Sequence, residues 1–265
     1  MMRCVWLIRY GEISLKGKNR TYFEHKLTLN IKRCLKANNV KSEVRRVRNR
    51  ILVKSDEDCS FLKNVFGIVS LSKAIVTDAN LNEMEKAIEL ILPNSKQTFR
   101  VTTKKLDKSF NLSSTEVCAK LGDYICEKSK AKVNLKRFNV EVCVEIFNGK
   151  AYLFNNKIKA AGGLPIGVEG KALALIENKE SIRAALSVMK RGVAVIPVAL
   201  KQKNISELKK FSCGMRIDLE FISDLNELDE KAAERGAKAL VVSDKVNSIK
   251  DYNTRLLILR PLVGE

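Results

Sequence analysis

The fold of this chain can be worked out from residues 162–192, GGLPIGVEGKALALIENKESIRAALSVMKRG. The apolar run Ala172–Ile176 predicts a buried strand, and Ser181–Arg191 predicts the helix that follows it. Between such a strand and helix, α/β proteins often bind phosphate with backbone N–H groups, and glycines let the backbone approach the anion. This turn instead reads Glu-Asn-Lys-Glu, residues 177–180, with two carboxylates and no glycine. The sequence therefore predicts the scaffold of a nucleotide site with a poor phosphate-binding loop.

Strands and helices continue to alternate after this turn. That order predicts a parallel sheet flanked by helices, because consecutive parallel strands need a crossover connection. Four glycines and Pro165 within residues 160–170 predict a linker before it. The further predicted elements are Val193–Leu200, Ser206–Phe211, Ile217–Ile222, Leu225–Arg235, Ala239–Ser243 and Leu256–Leu259.

Two smaller α+β modules are predicted before the linker. In residues 1–60, a strand at Cys4–Arg9 precedes a helix at Thr21–Ala37 with one apolar stripe, and Glu43–Lys54 is either a strand pair or one long strand. Residues 61–165 contain a strand–helix–strand pattern and a hairpin with an Asn-Gly turn. The predicted elements of this second module are Leu81–Leu92, Thr98–Thr103, a helix that is capped within Ser113–Glu116 and runs to about Lys130, Val140–Phe147 and Ala151–Asn155.

Net charge is the second strong signal in the sequence. The 265 residues include 49 Lys and Arg against 30 Asp and Glu, a net charge of +19. Residues 1–60 carry a net +9, residues 61–168 carry +7, and residues 169–265 carry only +3. A basic surface of this kind predicts a polyanionic partner, with nucleic acid as the first candidate. A generally lysine-rich composition is the alternative, but it would not explain why the excess falls in the last third.

Several classes of protein are disfavoured by composition. No apolar run approaches the ~18 residues of a membrane span, and the N-terminus turns polar too early for a signal peptide. Seven cysteines are widely spaced, no pair has the CxxC spacing, and the chain has one histidine, His25. We therefore expect no metal site, no membrane and a cytoplasmic protein with reduced thiols.

An ordered set of motifs resembles one family, the tRNA 4-thiouridine synthetases (tRNA sulfurtransferases), over essentially the whole chain. RYGEISLKGKNR is similar to the family's N-terminal ferredoxin-like domain, and TFRVTTKKLDKSFNLSSTEVCAKLGDYI is similar to the core of a THUMP domain, an RNA-binding module. GGLPIGVEGKALALI, MKRGV, AAERGAKALVVSD and LLILRPLVG resemble parts of the ATP pyrophosphatase (PP-loop) domain. The resemblance implies α+β and α/β architecture: a ferredoxin-like domain (1–60), a THUMP domain (61–165) and a truncated, Rossmann-like PP-loop domain (166–265).

The same resemblance identifies the turn at residues 177–181 as a degenerate nucleotide loop. The family carries an SGGxDS-type sequence there that holds ATP phosphates. Aligned from MKRG, Glu177 and Asn178 take the glycine positions, Lys179 the variable one, Glu180 the aspartate and Ser181 the last serine. A Glu177 carboxylate beside a phosphate would be repelled by roughly several kcal/mol. The family's catalytic cysteine has no counterpart, and Cys213 is expected to be an ordinary thiol. We therefore expect no cofactor, with ATP and magnesium as the alternative.

The resemblance also implies positive charge that faces the RNA, on the predicted THUMP strand Thr98–Thr103 and just after it. The residues are Arg100, Lys104, Lys105 and Lys108. Ser113 and Ser114 open the next helix, whose N-terminal N–H groups suit a phosphate; a plain helix cap is the alternative reading. Aromatic residues are sparse in these loops, so we expect contacts to phosphates and RNA shape rather than base readout.

A further group of cations in the first module is predicted to extend this surface, with a solvated face as the alternative. Three of its members flank a glycine turn, and three arginines are spaced by two, so that on one long strand they would face one side. The group consists of Lys16, Lys18, Arg20, Arg46, Arg48 and Arg50.

Three functions are compatible with these features. The preferred hypothesis is a tRNA-binding protein without ATP-dependent adenylation or sulfur transfer of its own, which could cooperate with an active tRNA-modification enzyme. The first alternative is a minimal tRNA sulfurtransferase that makes 4-thiouridine with help from a partner. The second is a protein-interaction module. The sequence leaves the identity of the tRNA and the oligomeric state open.

Overall fold

The computed structural model describes residues 3–15, 17–106 and 110–264. Tertiary contacts divide the chain into two compact units, each assembled from separate stretches. The first unit comprises Met1–Arg9, Ser42–Cys59 and Ser70–Ile158, and the second comprises Tyr10–Lys41, Ser60–Val69 and Lys159–Glu265. The domain boundaries predicted after residues 60 and 165 follow the sequence rather than these contacts, and they stay a prediction.

The first unit is built on one mixed sheet. Its strands are β1 (Arg3–Arg9), β2 (Glu43–Val47), β3 (Arg50–Lys54), β4 (Ser70–Asp78), β5 (Thr98–Lys105), β6 (Lys132–Val133), β7 (Val140–Phe147) and β8 (Lys150–Phe154). They lie in the order β2-β3-β1-β4-β8-β7-β5-β6, and β5 is parallel to both of its neighbours. Two helices, α2 (Leu81–Ile88) and α3 (Ser114–Ser129), pack on one face through apolar residues such as Met84, Leu121 and Phe99.

The opposite face of this sheet is concave. Arg50 on β3 and Glu145 on β7 are separated by three other strands, yet Nε of Arg50 lies 2.8 Å from a carboxylate oxygen of Glu145. Neighbouring strands lie about 4.8 Å apart, so in a flat sheet the backbones of β3 and β7 would be roughly 19 Å apart, too far for these two side chains to meet. A second hydrogen bond, of 2.9 Å, joins Arg48 in the β2–β3 turn to Asn148 in the β7–β8 turn. The sheet is therefore strongly curled.

The prediction that Arg46, Arg48 and Arg50 face one side is wrong, because the chain turns between them. Arg48 and Asn49 have φ of 33° and 53°, the left-handed region that closes a tight hairpin. Arg46 lies on β2, Arg48 in the turn and Arg50 on β3. Of the two arrangements open to Glu43–Lys54, the strand pair is the one formed.

The second unit is built on a five-stranded parallel sheet. Its elements are α1 (Arg20–Ala37), β10 (Lys171–Leu175), α4 (Lys179–Lys190), β11 (Ala194–Ala199), α5 (Ser206–Ser212), β12 (Glu220–Phe221), α6 (Leu228–Arg235), β13 (Ala239–Val241) and β14 (Leu257–Leu259). The short strand β9 (Ile158–Lys159), which precedes β10 in the chain, belongs to the sheet of the first unit, where it pairs with β4. The strand order is β12-β11-β10-β13-β14, with every pairing parallel. The predicted parallel sheet with its alternating helices is confirmed.

The core of the second unit follows the predicted periodicity. On α1 the stripe of Phe23, Leu27, Ile31 and Leu35 is buried, as the four-residue spacing predicts. Strand β10 is buried along almost its whole length, which is typical of a central parallel strand covered on both faces. Among the described residues, none of the helices combines the length and the apolar character that a membrane crossing requires.

Candidate functional site

The turn after β10 lies at the point where doubly wound proteins bind their ligands. The strand order of the second unit reverses between β10 and β13. Residues that follow the carboxyl ends of these two strands therefore flank one crevice. Glu177 follows β10, and Asp244 follows β13.

The N–H groups of this turn are already hydrogen-bonded within it. Asn178 caps α4, and Oγ of Ser181 accepts hydrogen bonds from the N–H groups of Glu177 and Asn178, both of 3.0 Å. The N–H of Ser181 donates to Oδ1 of Asn178 at 3.1 Å. None of residues 177–181 has positive φ, which an anion-binding nest of alternating right- and left-handed residues requires. Three donors that would point at a phosphate are thus satisfied by the side chains of Asn178 and Ser181.

A lysine side chain of the same chain pairs with the Glu177 carboxylate at the mouth of the crevice. Nζ of Lys250 lies 3.1 and 3.3 Å from the two carboxylate oxygens of Glu177. The backbone of Lys250 is held in turn, because its N–H donates to Asp244 and its carbonyl accepts from Arg260. The chain therefore carries its own ion pair where a bound triphosphate would be expected.

Asp244 organises the loop that carries Lys250. Its buried carboxylate accepts hydrogen bonds from the Tyr252 hydroxyl at 2.7 Å and from Nε of Arg260 at 3.0 Å. Burial alone would raise the pKa of Asp244, but the hydrogen bonds from Tyr252, the Lys250 N–H and Arg260 outweigh it and hold the pKa below its usual range. Asp244 is therefore a charged anchor at neutral pH, and sequence reasoning missed both it and Lys250. Asp244 could have been found from its position just after the strand β13, whereas Lys250 lies nine residues beyond that strand and carried no such signal.

Cys213 does not offer a reactive thiol. It is buried, and a hydrogen bond with Cys34 together with burial raises its pKa. A thiol with a raised pKa is protonated at neutral pH and is a poor nucleophile. This burial is compatible with an ordinary thiol, and the absence of a catalytic role for Cys213 stays a prediction.

The predicted RNA-facing residues of β5 differ in what they contact. Lys104 is exposed, whereas Arg100 lies 2.5–2.8 Å from Glu141 and stacks 4.0 Å above the Phe138 ring. Lys105 donates from Nζ to the carbonyls of Phe110 and Leu112, at 2.6 and 2.7 Å, and so braces the following loop. Lys108 lies outside the described residues.

The N-terminus of α3 is capped by its own side chains. Oγ of Ser113 accepts from the N–H of Glu116 at 3.1 Å, and Glu116 accepts from the N–H of Ser113 at 2.8 Å. The hydrogen bonds that the Glu116 carboxylate receives from the Ser113 backbone N–H and from the Ser113 side chain lower the pKa of Glu116. The helix begins at Ser114. Because the Glu116 carboxylate lies at this end and the N–H groups of Ser113 and Glu116 already have partners, the end is less suited to a phosphate than predicted.

The cations of the first module are also distributed unevenly. Lys18 is exposed in the 3₁₀ turn Gly17–Asn19, and Arg20 pairs with Glu24 at 2.6 Å. Arg46 is exposed on β2, but Arg50 is buried against Glu145, so the prediction that it adds to an exposed cationic surface is wrong. Lys16 lies outside the described residues.

Sequence reasoning passed over a further basic segment in the first unit. Exposed cations surround the edge strand β6 and the loop to β7, together with the Phe138 ring that supports Arg100. These cations are Lys128, Lys130, Lys132, Lys136 and Arg137. Five cations within the ten residues 128–137 are the feature of the sequence from which this basic segment could have been predicted.

Family models match the two modules of the N-terminal part. The ThiI ferredoxin-like domain matches residues 5–72, and the THUMP domain matches residues 79–156. The two modules follow one another in the predicted order, but the first match ends at residue 72 rather than at 60, and the predicted boundaries stay a prediction.

Solved structures extend the match to the whole chain. The crystal structure of PH1313 from Pyrococcus horikoshii is 30% identical, with a TM-score of 0.89 over 100% of this chain and 95% of that one. A 4-thiouridine synthetase in complex with RNA and bound ATP is 26% identical, with a TM-score of 0.82 over 99% and 81%. The predicted fold, a ferredoxin-like module, a THUMP domain and a Rossmann-like parallel sheet, is confirmed.

Several curated relatives carry the name "Probable tRNA sulfurtransferase". The protein from Thermococcus kodakarensis is 35% identical over 98% of this chain and 84% of its own length. The alignment spans 319 positions, more than the 265 residues of this chain, so that relative carries residues within the matched region that this chain lacks. The protein from Thermoanaerobacter sp. strain X514 is 41% identical over 73% of this chain, which spans only 52% of that relative. The chain belongs to the tRNA sulfurtransferase family.

Proposed function

We propose that this chain binds tRNA in the cytoplasm, mainly through phosphate contacts, and does not itself activate a nucleotide. Three features support tRNA binding: the THUMP domain, the net charge of +19, and the similarity to a synthetase whose structure contains RNA. Lys104 and the segment from Lys128 to Arg137 present exposed cations on the first unit, and Lys18 does so on the second.

The hydrogen-bonded turn at residues 177–181 is the observation that carries the second half of the proposal. A phosphate could reach the N–H groups of Glu177 and Asn178 only by displacing Oγ of Ser181 from both. It would also have to approach the Glu177 carboxylate or separate it from Lys250. The Glu177 and Lys250 side chains are 38% and 57% exposed, so separating this pair costs only about 0–1 kcal/mol. The turn therefore opposes a triphosphate mainly through its own hydrogen bonds, and a Glu177 carboxylate separated from Lys250 would add repulsion.

A minimal tRNA sulfurtransferase is the competing function. The names of the relatives favour it, and so does the ATP bound in the similar synthetase–RNA structure. In this chain such an activity would need Lys250 to turn from Glu177 to a phosphate. It predicts ATP turnover that tRNA stimulates.

Charge reversal at Lys104 tests the proposed RNA contact. Lys104→Glu should weaken tRNA binding about tenfold and lower the slope of log K against log salt by about one, because one phosphate contact is lost. Lys105 is unsuited to this experiment because its side chain braces the loop before α3. Binding is measured by filter retention at several salt concentrations.

Lys86→Glu is the matched control. Lys86 is an exposed lysine of the same unit that lies on α2 and pairs with Glu83 at 2.9 Å, away from β5. Equal losses of affinity in the two variants would contradict a local role for Lys104. No retention of tRNA by the unmodified chain at low salt would contradict the proposed function itself.

A further inference from the structure

A cavity opens at one end of the concave face of the first unit. Its volume is about 250 Å³, and its floor is formed by Val5, Leu52, Val76 and Tyr152, from four neighbouring strands. On the same face, Arg9, Arg50 and Glu145 form a buried ionic cluster, and Glu145 lies directly opposite Tyr152 on the neighbouring strand. The concave face is thus filled at the cluster and open beside it.

Tyr152 presents an unused polar group to this cavity. The residue is only 5% exposed, and its ring stacks on Phe147 with centroids 4.3 Å apart and planes 9° from parallel. Within the described residues its hydroxyl has no hydrogen-bond partner, and burial raises its pKa. Among the described residues, the fully buried side-chain polar atoms without a partner are on Arg9, Asn30 and Ser70, so the Tyr152 hydroxyl is open to solvent in the cavity. A ligand that bonds to it would replace water, with a net gain of about 0.5–1.5 kcal/mol.

The rim of the cavity is cationic. Arg45, Lys54 and Lys150 line it together with one acid, Glu43. Arg45 pairs with Glu43, and Lys150 pairs with Asp78, each at 2.5 Å and on exposed side chains. Exposed ion pairs of this kind contribute only about 0–1 kcal/mol, so a phosphate can replace the carboxylate at little cost.

We propose that this cavity is a subsite for one unstacked nucleobase of a bound single-stranded RNA segment, an inference that rests on the proposed RNA binding. The apolar floor suits the faces of a base, and the Tyr152 hydroxyl can donate to or accept from its edge. The rim cations suit the flanking phosphates. A volume below the roughly 300–1,000 Å³ of drug-sized pockets fits a single base rather than a stacked pair. RNA-binding proteins commonly read such splayed-out bases.

The proposal predicts a base preference that depends on one hydroxyl. The dissociation constants of labelled A4, C4, G4 and U4 tetraribonucleotides are measured at one low salt concentration. The unmodified chain should prefer one base. Tyr152→Phe should reduce that preference about fivefold while leaving the affinity for the other three tetranucleotides unchanged, because one hydrogen bond contributes about 1 kcal/mol.

Two further variants keep the test decisive. Tyr124→Phe is the matched control, since that hydroxyl lies on α3 and bonds Glu89, and it should leave the preference intact. Val76→Phe should fill the cavity and equalise the four affinities. Equal affinities in the unmodified chain, or a preference that survives both Tyr152→Phe and Val76→Phe, would overturn the subsite even if tRNA binds in a salt-dependent way. Failure to bind RNA of any kind would overturn the proposed function and the subsite together.

Discussion

Glu145→Gln should lower the free energy of unfolding by about 3–5 kcal/mol. Glu145 lies between two buried arginines: its carboxylate oxygens are 2.6 Å from Nε of Arg9 and 2.8 Å from Nε of Arg50. All three side chains are at most 10% exposed, so solvent screens the charges poorly. Glutamine keeps the shape but leaves both guanidinium groups buried without a counter-charge. The loss is measured by urea or guanidinium denaturation.

Glu141→Gln is the control for this prediction. Glu141 lies on the same strand and pairs with Arg100, but the two side chains are 28% and 36% exposed, so we expect a loss below about 1 kcal/mol. Similar losses in the two variants would contradict the account of the buried cluster.

The same cluster predicts how stability depends on pH. Burial alone would raise the pKa of Glu145, but the charges of Arg9 and Arg50 and their hydrogen bonds outweigh it and hold the pKa below its usual range. A group with a lowered pKa in the folded state contributes fully above its unfolded pKa, about 4.3 for Glu, and loses that contribution as the pH falls through the folded value. The destabilising effect of Glu145→Gln should therefore shrink below about pH 4.

Binding of tRNA should weaken by about a thousandfold between 50 and 200 mM monovalent salt. Each neutralised phosphate releases a counterion, and a protein that makes six or more phosphate contacts shows losses of this size. Many exposed lysines, and few aromatic residues beside them, support a predominance of phosphate contacts in this chain. Fluorescence anisotropy with labelled tRNA gives the slope directly. A dissociation constant that stays constant across this range would contradict binding through phosphates.

The local parts of the fold could be predicted from the sequence. Strand β10, helix α4 and the parallel strands after them follow from apolar runs and turn residues within a few positions of one another. The cap of α3 was visible as Ser113 followed three residues later by Glu116. The lack of glycine in the turn at residues 177–180 was also plain in the sequence.

The long-range ion pairs could not be predicted. Glu145 is 136 residues from Arg9 and 95 from Arg50, and Lys250 is 73 residues from Glu177. No periodicity reports such distances, because they depend on how the sheet curls and on which strands become neighbours. For the same reason Arg50 was assigned to an exposed surface, although its partner lies on β7.

The most direct test of the account is equilibrium dialysis of Mg-ATP against the purified chain, with and without saturating tRNA. The closed turn at residues 177–181 and the Glu177–Lys250 ion pair predict no bound ATP at millimolar nucleotide, and no AMP formed when tRNA is added. Stoichiometric ATP binding with a micromolar dissociation constant, or tRNA-stimulated AMP release, would contradict it.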